Sequence, residues 1–331
     1  MSRKGTYQHR ATLKSYAFGV AQDLSGSIAD FIAPRVSVGI ASGFYKKFGD
    51  KNAFQVYQTA RALGGPATRM QFEADDATFN CRPNALEAPI DDHDREQAGD
   101  SASAMEEALT RDLVTNATLA REAKVMGLIK GAVSAEAGKG VWSSSSADPI
   151  AEIDEVIHDI AVATGMMPNR MVLGLGAWKV LKNHAAVLAR RPGAEKATID
   201  LGFFSSQLLN PQMEIKVGLL SMDTAKLGKA KNAVNVVGGE VFVFVGSANP
   251  TRYDPSFAKT FSIGGSSVED VYTYRDDNCR SDILAVDWSE DVQVVSAACA
   301  VLDRMATFEE AEINDDYLAE IRAGDSFTVT T

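Results

Sequence analysis

Four histidines, three cysteines and a few glycine-lysine pairs are the residues of this 331-residue chain with the most chemical potential. Their spacing argues against most of the chemistry they could support. His9, His93, His158 and His184 are too scattered for an H-E-x-x-H metal helix, and no G-x-S-x-G nucleophile elbow occurs. Cys81, Cys279 and Cys299 are odd in number and lack C-x-x-C spacing, which disfavours a disulfide framework or a four-ligand zinc site. Gly138-Lys139-Gly140 and Gly228-Lys229-Ala230 resemble the end of a phosphate loop. Neither has Ser or Thr after the lysine, nor the first glycine five positions earlier. Leu173-Gly174-Leu175-Gly176 stands where a dinucleotide fingerprint would, between a strand and a helix, but Lys179 replaces the third glycine, so a tight strand-to-helix turn is expected. Asp91-Asp92-His93-Asp94-Arg95-Glu96 offers oxygens to a divalent ion, yet adjacent helical side chains diverge, and a dipole-matched helix start accounts for it. Asp276-Asp277-Asn278 reads as a polar turn, and Asn116-Ala117-Thr118 as a glycosylation pattern placed mid-helix, where it has no meaning. No catalytic, cofactor-binding or metal site is expected, and no cofactor.

The composition is that of an ordinary globular protein: 45% hydrophobic, 23% charged, 44 acids against 33 bases, net charge -11. An acidic chain does not wrap nucleic acid by counter-charge, because that binding needs clustered Lys and Arg. No apolar stretch approaches the roughly 18 residues of a membrane helix, the N-terminus lacks the apolar core of a secretory signal, and a reducing cytoplasm is the default compartment. The charge is unevenly placed. Residues 1–70 carry +7, residues 71–160 carry -12, residues 161–302 are neutral and the tail from Asp303 carries -6. Two readings stand: a solvated basic arm on an acidic body, or self-complementarity, with the basic end of one copy on the acidic middle of another.

The elements that would position such contacts follow from periodicity. The first forty or so residues read as an extended arm. Alternation over 53–58 and 69–74 around Leu63-Gly64-Gly65-Pro66 predicts a long hairpin, which must lie against another surface to be stable. From about Arg95 to Lys130 a narrow, alanine-rich stripe of Met105, Leu109, Leu113, Ala117 and Ala120 predicts one helix near 50 Å long, packed on a sheet on one side and wet on the other. A Ser-rich linker ends at Asp148-Pro149, a helix start. Ile150, Ile153, Ile157 and Ile160 give the next helix its buried face. A strand is expected at 171–173 and a helix at 177–190 with Trp178, Leu181 and Val187 inward. Strands follow at 214–217, 235–237, 240–245, 259–263, 271–275, 283–287 and 292–297. Helices first and strands late make an α+β chain.

This order, together with several stretches of wording, resembles the major capsid proteins of tailed double-stranded DNA phages, which share the Hong Kong 97 fold. Phe31-Ile32-Ala33-Pro34-Arg35-Val36-Ser37-Val38 followed by Gly43-Phe44-Tyr45-Lys46-Lys47-Phe48-Gly49 is similar to the arm that leads into that family's E-loop. Cys81-Arg82-Pro83-Asn84-Ala85-Leu86-Glu87-Ala88-Pro89-Ile90-Asp91 resembles the return into the spine helix. Residues 171–184 look like the strand-turn-helix of the axial domain, and 255–261 with 271–274 like the late strands. The likeness covers roughly residues 28 to 305. It implies an N-terminal arm at 1–45, the E-loop hairpin and its return at 46–89, and the spine helix with the start of the peripheral domain at 90–147. The axial domain would take 148–256, late strands shared by both domains 257–302, and an acidic tail 303–331, in which Phe308, Ala311, Leu318 and Ile321 suit one helix face.

What the resemblance implies is a structural protein and not an enzyme: hexamers and pentamers tiling an icosahedral shell around double-stranded DNA held without sequence-specific binding. The expected place is the virion capsid, assembled in the bacterial host cytoplasm without a membrane partner. The principal partner is the chain itself, with a portal, a possible decoration protein and a separate scaffolding protein, the last expected because no scaffold segment precedes the arm and the chain starts at Met1. The hairpin would lie over a neighbour's spine helix, so the expected intersubunit contacts are Lys46, Lys47, Lys51, Arg61 and Arg69 against Asp91, Asp92, Asp94 and Glu96. No complete set of cross-linking side chains is matched. The competing readings are an encapsulin-type compartment shell, whose members usually begin with a cargo-capturing helix, and an α+β enzyme with no supporting constellation.

Overall fold

The computed structural model describes residues 27–47, 75–133, 144–190, 199–225, 229–265, 270–297 and 300–304, with isolated positions between and before them. A short helix α1 (Ala29–Ile32) leads into β1 (Arg35–Val38), β2 (Ser42–Lys47), β3 (Asp75–Asn80) and β4 (Arg82–Asp91). Then come α2 (Asp92–Ala98), a 3-10 turn (Gly99–Ser101) and α3 (Ala102–Ala132). α4 (Pro149–Thr164), β5 (Arg170–Gly174), α5 (Leu175–Leu181), α6 (Ala185–Ala189) and α7 (Leu201–Ser206) precede a run of strands. These are β6 (Glu214–Gly218), β7 (Ser221–Asp223), β8 (Ala233–Asn235), β9 (Glu240–Phe244), β10 (Ala258–Ile263), β11 (Val271–Asp276), β12 (Ser281–Val294) and β13 (Ala300–Arg304).

β12 organises the first sheet. Along one edge it takes β4, antiparallel, from Ser281 opposite Asp91 to Glu290 opposite Arg82. Its other edge is shared, β11 pairing with the first half and β10 with the second, and β1 joins β10 in parallel. Two separate strands were expected here, at 283–287 and 292–297. They are one, because the polar residues between them alternate in register: Trp288 and Glu290 turn inward, while Asp287 and Ser289 turn out. α3 lies across β12 and β4, and Leu113, Val114 and Ala117 close a core with Leu284, Val286 and Trp288.

The long helix is broken where one was expected to be continuous. Asp91 caps α2 by accepting from the His93 amide at 2.8 Å, and the ladder then fails at Gly99, whose φ of 50° a side chain would resist. α3 also departs from the expected stripe. Ala120 is exposed and Arg121 is buried in its place, and from Arg121 to Ile129 nearly every residue is enclosed, so this half has no wet side.

The second sheet runs β13-β9-β5-β6. β5 and β9 read as continuous apolar runs because both faces are covered, and Met171, Val172, Leu173, Phe242 and Phe244 are all inaccessible. Phe31 and Phe257 pack on Phe244 with ring centroids 5.8 and 5.9 Å away. The Asp148-Pro149 start forms as read, with an Asp148 carboxylate oxygen accepting from the Ala151 amide, and Gly165 ends α4 in the left-handed region. The helix expected over 177–190 is instead two. His184 Nδ1 accepts from the Ala186 amide and caps α6, which leaves Nε2–H to donate to the Ser144 carbonyl at 3.0 Å. The glycine of 173–176 proves to be a packing residue: a Cβ on Gly174 would stand 2.1 Å from the Gly238 carbonyl oxygen, which accepts from the Gly176 amide.

Helix α7 and strands β1, β7 and β13 were not foreseen, and β8, which pairs with β7, lies two residues before its expected place at 235–237. Residues 53–58 and 70–74, Gly138-Lys139-Gly140 and the tail after Arg304 lie outside the described residues, but the stem of the hairpin is in place. β2 pairs β3 from Ser42 opposite Asn80 to Lys47 opposite Asp75. Its inner face is apolar, with Phe79 stacked on Phe261 at 4.6 Å and Tyr45 beside it.

Candidate assembly interface

Charged groups meet α2 and α3 in two places, one wet and one dry. At the wet end, Arg275 of β11 grips both oxygens of Asp92 at 2.6 Å and reaches Asp282 at 3.3 Å. Asp282 also receives Arg95, whose other nitrogen holds Glu106 of α3 at 2.6 Å. The Arg275 bonds hold the Asp92 carboxyl below its usual range, and Arg95 and Arg275 outweigh burial to do the same for Asp282. This chain of alternating charges ties the helix start to β11, β12 and the next helix.

The dry end is the α3–β12 seam. Arg121 donates to Glu290 at 2.8 Å and to Asp30 at 2.7 Å, with Arg121 and Glu290 each only 3% exposed. Burial alone would depress Arg121, but the Asp30 and Glu290 carboxylates raise it above the ordinary guanidinium range. Asp30, which Arg35 also approaches at 3.0 Å, is held below the usual carboxylate range by the two arginines against the pull of burial. The next residue, Glu122, accepts from the Ser27 hydroxyl at 2.7 Å and from the Ile28 and Ala29 amides at about 3 Å, so it caps α1 from the long helix. Burial pushes its carboxyl up in spite of those donors. Further along α3, Lys130 pairs with Glu240 of β9 at 2.6 Å and donates to the Val236 carbonyl. One helix thus holds the incoming arm segment with Arg121 and Glu122 and the second sheet with Lys130.

The nine expected contact residues fall into three groups. Lys46 pairs with Asp76 of its own chain at 2.6 Å, Asp91 is a helix cap, and Asp92 is taken by Arg275, so these three do work inside the subunit. Lys47, Arg61, Arg69, Asp94 and Glu96 are exposed and have no ion pair among the described residues. Lys51 lies outside those residues. The seam was not foreseen, though it had a signal. Leu113, Ala117, Arg121, Val125 and Ile129 recur at steps of four, and a charge at one of those positions demands a buried partner. Among the described residues no group of three metal-ligating side chains occurs, and no helix is long and apolar enough to cross a membrane.

Solved capsid proteins share the fold that these two sheets, the β2-β3 stem and the long helix make. The capsid of a native GTA particle shares it with a TM-score of 0.52 at 12% identity, over 86% of this chain and 91% of that one. A phage-related protein from Bordetella bronchiseptica RB50 is more alike, with a TM-score of 0.67 and 24% identity over 91% of this chain and 98% of that one. No family model matches. In sequence, the chain is 25% identical over 257 residues to the major capsid protein of Burkholderia phage BcepMu, spanning 74% of this chain and 80% of that protein. Fold and relatives together define a structural, non-enzymatic protein, a phage capsid subunit.

Proposed function

We propose that copies of this chain assemble as hexamers and pentamers into a closed icosahedral shell enclosing double-stranded DNA. The observation that carries this reading is the antiparallel pair β2-β3, which brackets residues 48–74 in a subunit whose fold is shared by capsid proteins. The sheet at 170–244 serves as the axial domain around each local axis, and the sheet built on β12, with α3 as spine, as the peripheral domain. The hairpin lies on a neighbouring subunit. Lys47, Lys51, Arg61 and Arg69 supply its basic side, and Asp94 and Glu96 the acidic receptor at the start of the neighbour's helix. With a net charge of -11 the wall repels the genome it encloses, so DNA is contained without being gripped. Assembly takes place in the bacterial cytoplasm on a separate scaffolding protein, with a portal and a possible decoration protein as further partners.

Electron microscopy of the purified protein, alone and coexpressed with a scaffold, tests this. Uniform shells or isolated hexamers and pentamers are expected. A small discrete oligomer that forms no shell under either condition would refute it.

A further inference from the structure

Around α4 and α5 the charges segregate completely. Residues 148–165 carry five acids and no Lys or Arg, and residues 166–194 carry five bases and no acid. Part of each set is consumed inside the subunit: Asp148 pairs with Arg190, and Arg170 lies on the Phe31 ring near Glu214. Asp159 remains exposed on α4, with its neighbour His158 as its ion-pair partner among the described residues, and it shares a helical stripe with Val162, which is 65% exposed. On α5 and its C-cap, Leu175, Lys179 and Lys182 recur at steps of four and three. Leu175 and Lys179 are exposed, and neither lysine has an ion pair among the described residues. Leu188 on α6 adds a further exposed apolar side chain.

The two stripes belong to different parts of the layer. α4 packs over β9 and β13, whereas α5 packs over β5 and β6 as well as β9. Each combines an exposed apolar side chain with charge of a single sign, and the signs are opposite. Apolar side chains rimmed by charge are what an interaction surface presents to a partner. Two distinct and complementary surfaces on one chain make a heterologous contact, which closes into a ring when the rotation between copies allows. Like charges disfavour two α4 faces meeting each other, so each α4 stripe is left to meet an α5 stripe.

We propose that the α4 stripe of one copy, Asp159 with Val162, docks on the α5 stripe of the next, Leu175 with Lys179 and Lys182, and that this contact repeats around each capsomer. It rests on the shell reading and names the chemistry that closes its rings. Charge reversal tests it, with shells and capsomers counted by electron microscopy and sedimentation after thermal melting has shown each variant folded. Asp159→Lys and Lys179→Glu should each cut the assembled fraction roughly tenfold, as like-charge juxtaposition across an interface does. The Asp159→Lys/Lys179→Glu double variant should restore it. The milder Asp159→Asn and Lys179→Gln serve where a reversal disturbs the fold, and each should lower assembly in the same direction. Single variants that assemble like the parent, or a double variant that stays defective, would overturn the pairing and leave the shell reading intact. A parent chain that never forms rings or shells would overturn both.

Discussion

The α3–β12 seam and the β5–β9 layer are equally dry but held by opposite means. Apart from the Lys130–Glu240 pair at the start of β9, the layer is apolar side chains such as Met171, Leu173, Phe242, Phe244 and Phe257, so its stability is mainly area removed from water and spread over many contacts. In the seam, Arg121, Glu290 and Glu122 are buried among apolar neighbours, and each has one to three specific partners. A buried ion pair barely repays the cost of taking both charges out of water, so the seam contributes little net stability. What it contributes is position: Arg121 accepts no register of β12 or α1 other than the one that brings Glu290 and Asp30 to it. The subunit has a core that tolerates approximate packing and a joint that does not.

Truncation shows both sides of that contrast at once. Phe244→Ala should cost about 3–5 kcal/mol, the usual loss for an enclosed phenylalanine, read from urea unfolding of the unassembled subunit. Arg121→Met should cost a similar ~3–5 kcal/mol, because it strands Glu290 without its counter-charge. The two losses then part. Arg121→Met combined with Glu290→Leu should recover most of the stability, whereas no single partner change rescues Phe244→Ala. A double variant as weak as the single one would mean that the seam is worth its full Coulombic energy and that the contrast is mistaken. Gly174→Ala belongs below these, at about 1–3 kcal/mol, since the backbone around Gly238 must move to admit a methyl group. The same unfolding measurement reads it, and an unchanged midpoint would mean that the turn at 173–176 is not close-packed.

The difference between the two regions also explains what was legible in the sequence. The layer was readable because apolar runs such as 171–173 and 241–244, and a start signal such as Asp148-Pro149, are local. The capsid fold was readable through wording and order along most of the chain. The seam was not, because its meaning is a pairing between positions 121 and 290, and a lone arginine in a helix looks solvated until the strand opposite is known. The union of two expected strands into β12 failed for the same reason, since Glu290 reads as a break unless Arg121 is facing it. Lys46 and Asp92 likewise looked available for another subunit. Their partners, Asp76 and Arg275, are 30 and 183 residues away.

The smallest effect separates two carboxyls that meet the same helix at neighbouring residues. Asp30 is held below its ordinary value of 3.8, so its contribution is present above about pH 4 and is lost as pH falls through the lower, folded value. Glu122 is raised, so its sign is reversed: it adds stability in acid and loses it as pH rises through the folded value. Between about pH 5 and pH 3 the two therefore oppose each other, and the parent's melting temperature carries both slopes. Asp30→Asn removes the falling one. The variant should start less stable at neutral pH, where the arginines lose a carboxylate, and should lose less than the parent on acidification. Parallel profiles for parent and variant would mean that Arg121 is satisfied by Glu290 alone. The arm segment would then be held by Glu122 and its three donors, without help from the charge next to it.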